Sequence, residues 1–219
     1  MDDEARVRKK FLCLCEKIDF RVCAMYTWLL RSSFKSCGPD VILHFPVRFG
    51  NPQSISLGAG CVVYPRAWVN VVSAWKGNTY DAEIRLGDRV MISYEVQISA
   101  ARSIVIDDDV AISRGAVIVD HIHDYRHLDV SIVDAPLSAP EPVRIGKGSF
   151  LGAHCIISPG VQIGEHSFVG ANSVVVKDVP AFSMAVGNPA RVVCLFSPLT
   201  NAQTSQGLAE SEHASSRSN

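Results

Sequence analysis

Between residues 145 and 176 an apolar residue returns at every sixth position: Ile145, Leu151, Ile157, Ile163, Val169 and Val175. An α-helix brings its buried face round about every 3.6 residues and a strand about every 2, so a sustained period of six belongs to neither. Gly146, Gly152, Gly164 and Gly170 follow four of the anchors, and Ser149, Cys155, Val161, Ser167 and Ser173 stand four places after theirs. The pattern predicts a triangular β-solenoid in which each hexad is one side of a coil. The anchor points into a narrow prism, small residues fit the corners, and three hexads complete a turn. A β-sandwich would instead show period-2 alternation with turn signals about every 8–12 residues.

Upstream the phase continues more roughly through Leu86, Ile92, Ile98 and Ile104, then Ile106, Ile112 and Ile118. The step from Ile104 to Ile106 predicts a two-residue bulge or a change of side. Ile55, Leu57, Gly58 and Val63 read as a first, irregular coil, with Asn51-Pro52 and Trp75 to Thr79 as turns or excursions. Residues 1–40 read as a helical cap: Val7, Phe11, Leu14, Ile18, Val22, Met25 or Tyr26, and Leu29 recur at helical spacing, and Cys37-Gly38-Pro39 supplies a stop. Its apolar face could cover the open end of the solenoid. Its basic residues, with Trp28 and Phe34, could instead bring it to a membrane surface. Residues 41–196 form the solenoid domain, with a loop at about 124–143. The Ser-, Ala-, Gln- and Glu-rich stretch 197–219 is expected to be disordered.

Composition narrows the function classes. The chain of 219 residues is 47% hydrophobic and 20% charged, with a net charge of −1, so no global field recruits nucleic acid. No apolar run is long enough to span a bilayer, and Asp2, Asp3 and Glu4 stand where a signal peptide carries basic residues. A cytoplasmic protein is expected, with the inner membrane face as a possible point of contact. Seven cysteines, with no CxxC pair among them, read as reduced thiols acting as small hydrophobes.

The repeat breaks once, between Ile118 and Ile145, and the break carries the polar chemistry: Asp120-His121-Ile122-His123-Asp124, with Arg126 and His127 further out. A long loop inside a continuous solenoid is a place for function. The cluster could be read as metal ligands, but no second His or acidic cluster in phase with it completes a set, and no metal is expected.

These hexads resemble the hexapeptide-repeat acyltransferases, as do the interrupted coil with Asp120-His121-Ile122-His123, the run Ile145-Gly146-Lys147-Gly148-Ser149-Phe150-Leu151-Gly152-Ala153, and the ending from Ser173 through Lys177 to Asn188-Pro189-Ala190-Arg191. The similarity is greatest to the maltose, galactoside and polysaccharide O-acetyltransferase branch, over about residues 50 to 194. It implies a left-handed parallel β-helix, a homotrimer, and acetyl-CoA held in the groove between neighbouring subunits. It further implies that His123, sixth in the hexad beginning at Ile118, is the general base, preferred to His121 on the substrate side. Asp120 or Asp124 would orient the imidazole. The backbone of Ala153 would face the thioester oxygen, Phe150 would stand where a Trp often flanks the cofactor, and Ala171 would meet the pantetheine arm. Lys177 would lie near the nucleotide and Arg191 near the phosphates.

The acceptor side departs from the family: Ser93 and Ala101 stand where sugar-acetylating relatives carry Asn and Asp, leaving Ser93, Tyr94 and Glu95 as nearby polar candidates. The expected activity is O-acetyl transfer to a saccharide or glycolipid hydroxyl in cell-surface polysaccharide assembly. Amino-sugar N-acetylation and a catalytically silent scaffold are the alternatives.

Overall fold

The computed structural model describes residues 21–126 and 128–196. The expected disordered tail, His127 and the first half of the helical segment lie outside the described residues. Three parallel sheets form the faces of a prism, and each coil lays one short strand on each face in turn. Face one holds Ser36–Cys37, Ile55–Leu57, Glu83–Leu86, Ser103–Ile106, Val143–Ile145 and Gln162–Ile163. Face two runs from Ile42–Leu43 to Phe168–Val169 and Ser183–Gly187, and face three from Arg48–Gly50 to Val174–Val175. The fold is a left-handed parallel β-helix.

The anchors do what a period of six predicts. Ile145, Leu151, Ile157 and Val169 are fully buried and stack coil upon coil, Ile118 on Ile157 and Leu151 on Val169. Each such side chain contributes about 1.5–3 kcal/mol on leaving water. The second small-residue row is also buried, and its hydroxyls are satisfied: Ser149 Oγ donates to the Gly164 carbonyl at 2.8 Å and Ser167 Oγ to that of Pro180 at 2.7 Å. Gly152 shows why a corner needs so little side chain, since a Cβ there would stand 2.6 Å from the backbone nitrogen of Ala171 in the next coil.

The solenoid begins earlier than the sequence suggested. A coil of Ser36–Cys37, Ile42–Leu43 and Arg48–Gly50 precedes the one containing Ile55 and Val63. Its inward residues Cys37, Leu43 and Phe49 keep the six-residue step, but Gly38-Pro39 between them resembles a helix stop. Residues 21–30 are helical and sit on this coil: Thr27 Oγ1 accepts the Leu43 backbone N–H at 2.9 Å, and Tyr26 donates to the Val47 carbonyl at 2.9 Å. At the other end, the antiparallel hairpin of Ser183–Gly187 and Ala190–Leu195 closes face two.

Coil length varies, and all the variation falls at one corner, from face three to face one. Steps from face one to two and from two to three stay at six residues, as in Leu86, Ile92, Ile98 and Ile106, Ile112, Ile118. The step back to face one varies, from four residues between Val175 and Val179 and six between Ile157 and Ile163 to much wider ones upstream. At Ile104 and Ile106 it holds two extra residues, both side chains pointing inward from the same strand, which resolves the expected bulge. Between Val71 and Glu83 it holds a small hairpin, Ala74–Trp75 against Asn78–Thr79. Between Val119 and Val143 it holds the polar loop.

Candidate active site

At this variable corner the two large excursions meet. Asp120 follows Ile118 by two residues in an extended strand end, so its side chain turns inward and is fully buried. A buried carboxylate must be fully hydrogen-bonded. Its oxygens accept the backbone N–H groups of Ala101, Arg102 and Ser103 at 2.7, 2.8 and 2.8 Å, which fixes the corner of the preceding coil. The same carboxylate lies 2.8 Å from His121 Nδ1. A carboxylate can only accept here, so the imidazole donates from Nδ1, and Nε2 is the nitrogen that carries the lone pair in the neutral ring. Ala101 is a backbone donor to this carboxylate.

His123 is placed differently. Its backbone bridges to Leu137, and its ring meets Trp75 edge to face with centroids 5.3 Å apart. Asp124 pairs with Arg126 through two contacts of 2.7 Å. The carboxylate expected to orient the base therefore touches His121, while His123 is steadied by the loop backbone and an indole.

Both imidazoles line a cavity of about 450 Å³ between the loop and the small hairpin. Trp68, Asn70, Trp75, Ser99 and Leu137 complete much of its wall. None of these was singled out in the sequence as a site residue. Their signal is structural: Asn70 and Ser99 share an outward row of face three with Gly50. A Cβ on Gly50 would meet Asn70 Oδ1 at 1.9 Å, so the glycine leaves room for that amide.

The other expected site residues lie elsewhere on the prism. Ser93, Ala153 and Ala171 occupy the corner from face two to face three, in different coils. Phe150 stacks on Phe168 on face two, with centroids 5.0 Å apart. Lys177 is exposed at the variable corner near the C-terminal end, and Arg191 is exposed on the closing hairpin. Neither forms an ion pair among the described residues. A single prism thus brings Asp120, His121 and His123 together, with Lys177 further along the same corner, and leaves Ser93, Phe150, Ala153, Ala171 and Arg191 elsewhere. Among the described residues, no group of three or more His, Cys, Asp or Glu is arranged to hold a metal.

The bacterial transferase hexapeptide model, of six repeats, matches residues 142–177. A probable acetyltransferase of Mycobacterium tuberculosis is 29% identical over 175 residues, covering 77% of this chain and 55% of its own length. Nodulation protein L of Rhizobium leguminosarum bv. viciae is 43% identical over 115 residues, 52% of this chain and 58% of its own. The chain thus spans a little over half the length of these curated relatives. Among solved structures, AntD, an N-acyltransferase from Bacillus cereus in complex with dTDP and 3-hydroxybutyryl-CoA, superposes with a TM-score of 0.67 at 21% identity, over 88% of this chain and 97% of that one. A galactoside acetyltransferase in complex with coenzyme A gives 0.53 at 22% identity, over 77% and 68%. The chain thus resembles the bacterial hexapeptide-repeat transferases in the repeat at residues 142–177 and shares the fold of these solved acyltransferases.

Proposed function

We propose that the protein transfers the acetyl group of acetyl-CoA to a hydroxyl of a saccharide or glycolipid, by direct attack without an acyl-enzyme. The observation that carries this reading is the pair of imidazoles on one wall of the cavity at the interrupted coil. A sugar hydroxyl is a weak nucleophile at neutral pH, and an imidazole that takes its proton during attack contributes about 10²–10⁴-fold. The oxygen bonds to the thioester carbonyl, the tetrahedral intermediate collapses, the C–S bond breaks, and the proton passes to the departing thiolate. His123 is the base, by its sixth-position register from Ile118. The backbone N–H of Ala153 faces the oxyanion, and Phe150 and the Ala171 backbone flank the pantetheine arm. Lys177 and Arg191 neutralise the phosphates, a role that their exposure and freedom from ion pairs support.

Because His123 and Ala153 lie on different corners, one site needs two prisms. The outward rows support a homotrimer packed through faces two and three. Face two presents Ile42, Val62, Met91, Ala111, Phe150, Phe168 and Met184 in one column, whereas face one presents Ser36, Ser56, Arg85, Val105, Arg144 and Gln162. The setting is the cytoplasm. Contact with the inner membrane face through helix 21–30 is supported by the exposure of Met25, Trp28 and Leu29.

One observation favours a second assignment of the base: the buried Asp120 orients His121, leaving its Nε2 free. The test is acetyl transfer to a sugar panel, read as released CoA thiol. His123→Ala should lower kcat by about 10²–10⁴-fold with the KM for acetyl-CoA nearly unchanged. An active His123→Ala beside a dead His121→Ala would move the role to His121. Amino sugars as the only acceptors would make the transfer N-acylation, the reaction class of AntD.

A further inference from the structure

The hairpin between Val71 and Glu83 is an insertion relative to the protein's own coils, and it makes contact where the chemistry is proposed to occur. Asn51 Nδ2 ties its base, donating to the Val71 carbonyl at 2.6 Å and to Ser73 Oγ at 3.2 Å. Its tip reaches the polar loop. The Trp75 indole N–H donates to the Ala135 carbonyl at 3.1 Å, Lys76 pairs with Asp134, and the ammonium of Lys76 lies 5.8 Å from the indole centroid. Ala135 is fully buried, so the carbonyl that receives the indole proton is fixed. Trp75 is thereby held at its N–H edge while its ring meets His123. An indole immobilised next to an imidazole, in a cavity that also contains Trp68, Asn70 and Ser99, has the features of a carbohydrate subsite. It offers a flat apolar face for the C–H side of a pyranose, and amide and hydroxyl groups for its rim. Among the described residues, the lining contains no Asp, Glu, Lys or Arg, and the adjacent Lys76 is already paired.

We propose that this hairpin is the acceptor-selecting wall of the site, with Trp75 both a stacking face for one uncharged pyranose ring and a positioning residue for His123. The inference rests on the acetyltransferase reading and deepens it. An uncharged glycoside matches the wall, whereas a nucleotide-diphosphate sugar would bring a pyrophosphate to a surface without a free cation.

The experiment compares wild type, Trp75→Ala and Trp75→Phe with acetyl-CoA as donor. The acceptors are methyl hexopyranosides, maltose and a nucleotide-diphosphate sugar, and quenching of tryptophan fluorescence by the glycoside gives binding without turnover. Wild type should prefer the glycosides. Trp75→Ala should raise the glycoside KM about tenfold and lower kcat, with the KM for acetyl-CoA and the melting temperature unchanged. Trp75→Phe keeps a ring and loses the N–H, and should restore glycoside KM to within about threefold of wild type. Unchanged glycoside kinetics in Trp75→Ala, equal damage in Trp75→Phe, or a wild-type preference for the nucleotide sugar would overturn the proposal while leaving acetyl transfer intact. A wild type that acetylates none of the sugars would instead refute the activity on which the proposal rests.

Discussion

Cys155 illustrates how far the prism controls a single side chain. It occupies the buried corner position that Ser149, Ser167 and Ser173 hold in neighbouring hexads, and burial pushes its thiol up from an ordinary 9.0 to about 12. A raised folded-state value means that the protonated thiol supports folding fully below pH 9 and that this support is lost as the pH climbs toward 12. Stability measured by urea denaturation should therefore fall between pH 9 and pH 11 in wild type, and fall less in Cys155→Ser, which borrows the residue of the equivalent corners. Alkylation at pH 8, mapped by peptide mass, should modify the exposed Cys194 and spare Cys155. Asp120 sets a stricter requirement. Asp120→Asn retains one acceptor oxygen where three backbone N–H groups converge and turns an amide NH₂ toward donors. It should cost about 2–4 kcal/mol in a denaturation experiment as well as freeing His121.

At the scale of the strand, side chains one residue apart have opposite fates. Ile98 is fully buried and its neighbour Gln97 is exposed on the same strand, Gln97–Ala100. Ile98→Ala should lower stability by about 2–5 kcal/mol by thermal or urea denaturation, and Gln97→Ala by no more than about 0.5. This alternation within a six-residue step is what made the prism legible from Leu86 onward. The first coil was harder to read, because Cys37 and Phe49 are less regular anchors than Ile and the helix stop lay among them. Asp120 was legible in principle as the inward position two after Ile118, in line with Ala100 after Ile98. The Trp75–His123 contact was not. It joins residues 48 positions apart through two irregular excursions, and a contact of that kind leaves no period in the chain. The expected orienter and the expected base were both found at the corner, but the hydrogen bond runs from Asp120 to His121 and not to His123, a pairing that residue spacing alone does not decide.

For the whole molecule, face two is a straight apolar column, face three carries Trp68, Val117, Ile156 and Val174 in line with Arg48 and Gln97, and face one is mostly polar. On the trimeric reading, Ile156→Glu, which puts a carboxylate on the outward row of face three, should turn a native-mass trimer into a monomer with its β-helical circular dichroism kept and its transferase activity lost. A fully active wild-type monomer would refute that assembly. Arg191→Glu should raise the KM for acetyl-CoA far more than that for a dephospho-CoA donor, with kcat little changed. The confinement of every length change to one corner has a further consequence. Two edges of the prism are a fixed chassis, and the third is a margin on which segments can be rewritten, from two residues at Ala101 to the whole stretch 120–142, without disturbing the stacking of a single anchor. Lineages built on such a frame are free to exchange what they recognise by swapping inserts along that margin, while the folding of the prism is inherited unchanged. An engineer could use the same margin as a socket for foreign loops.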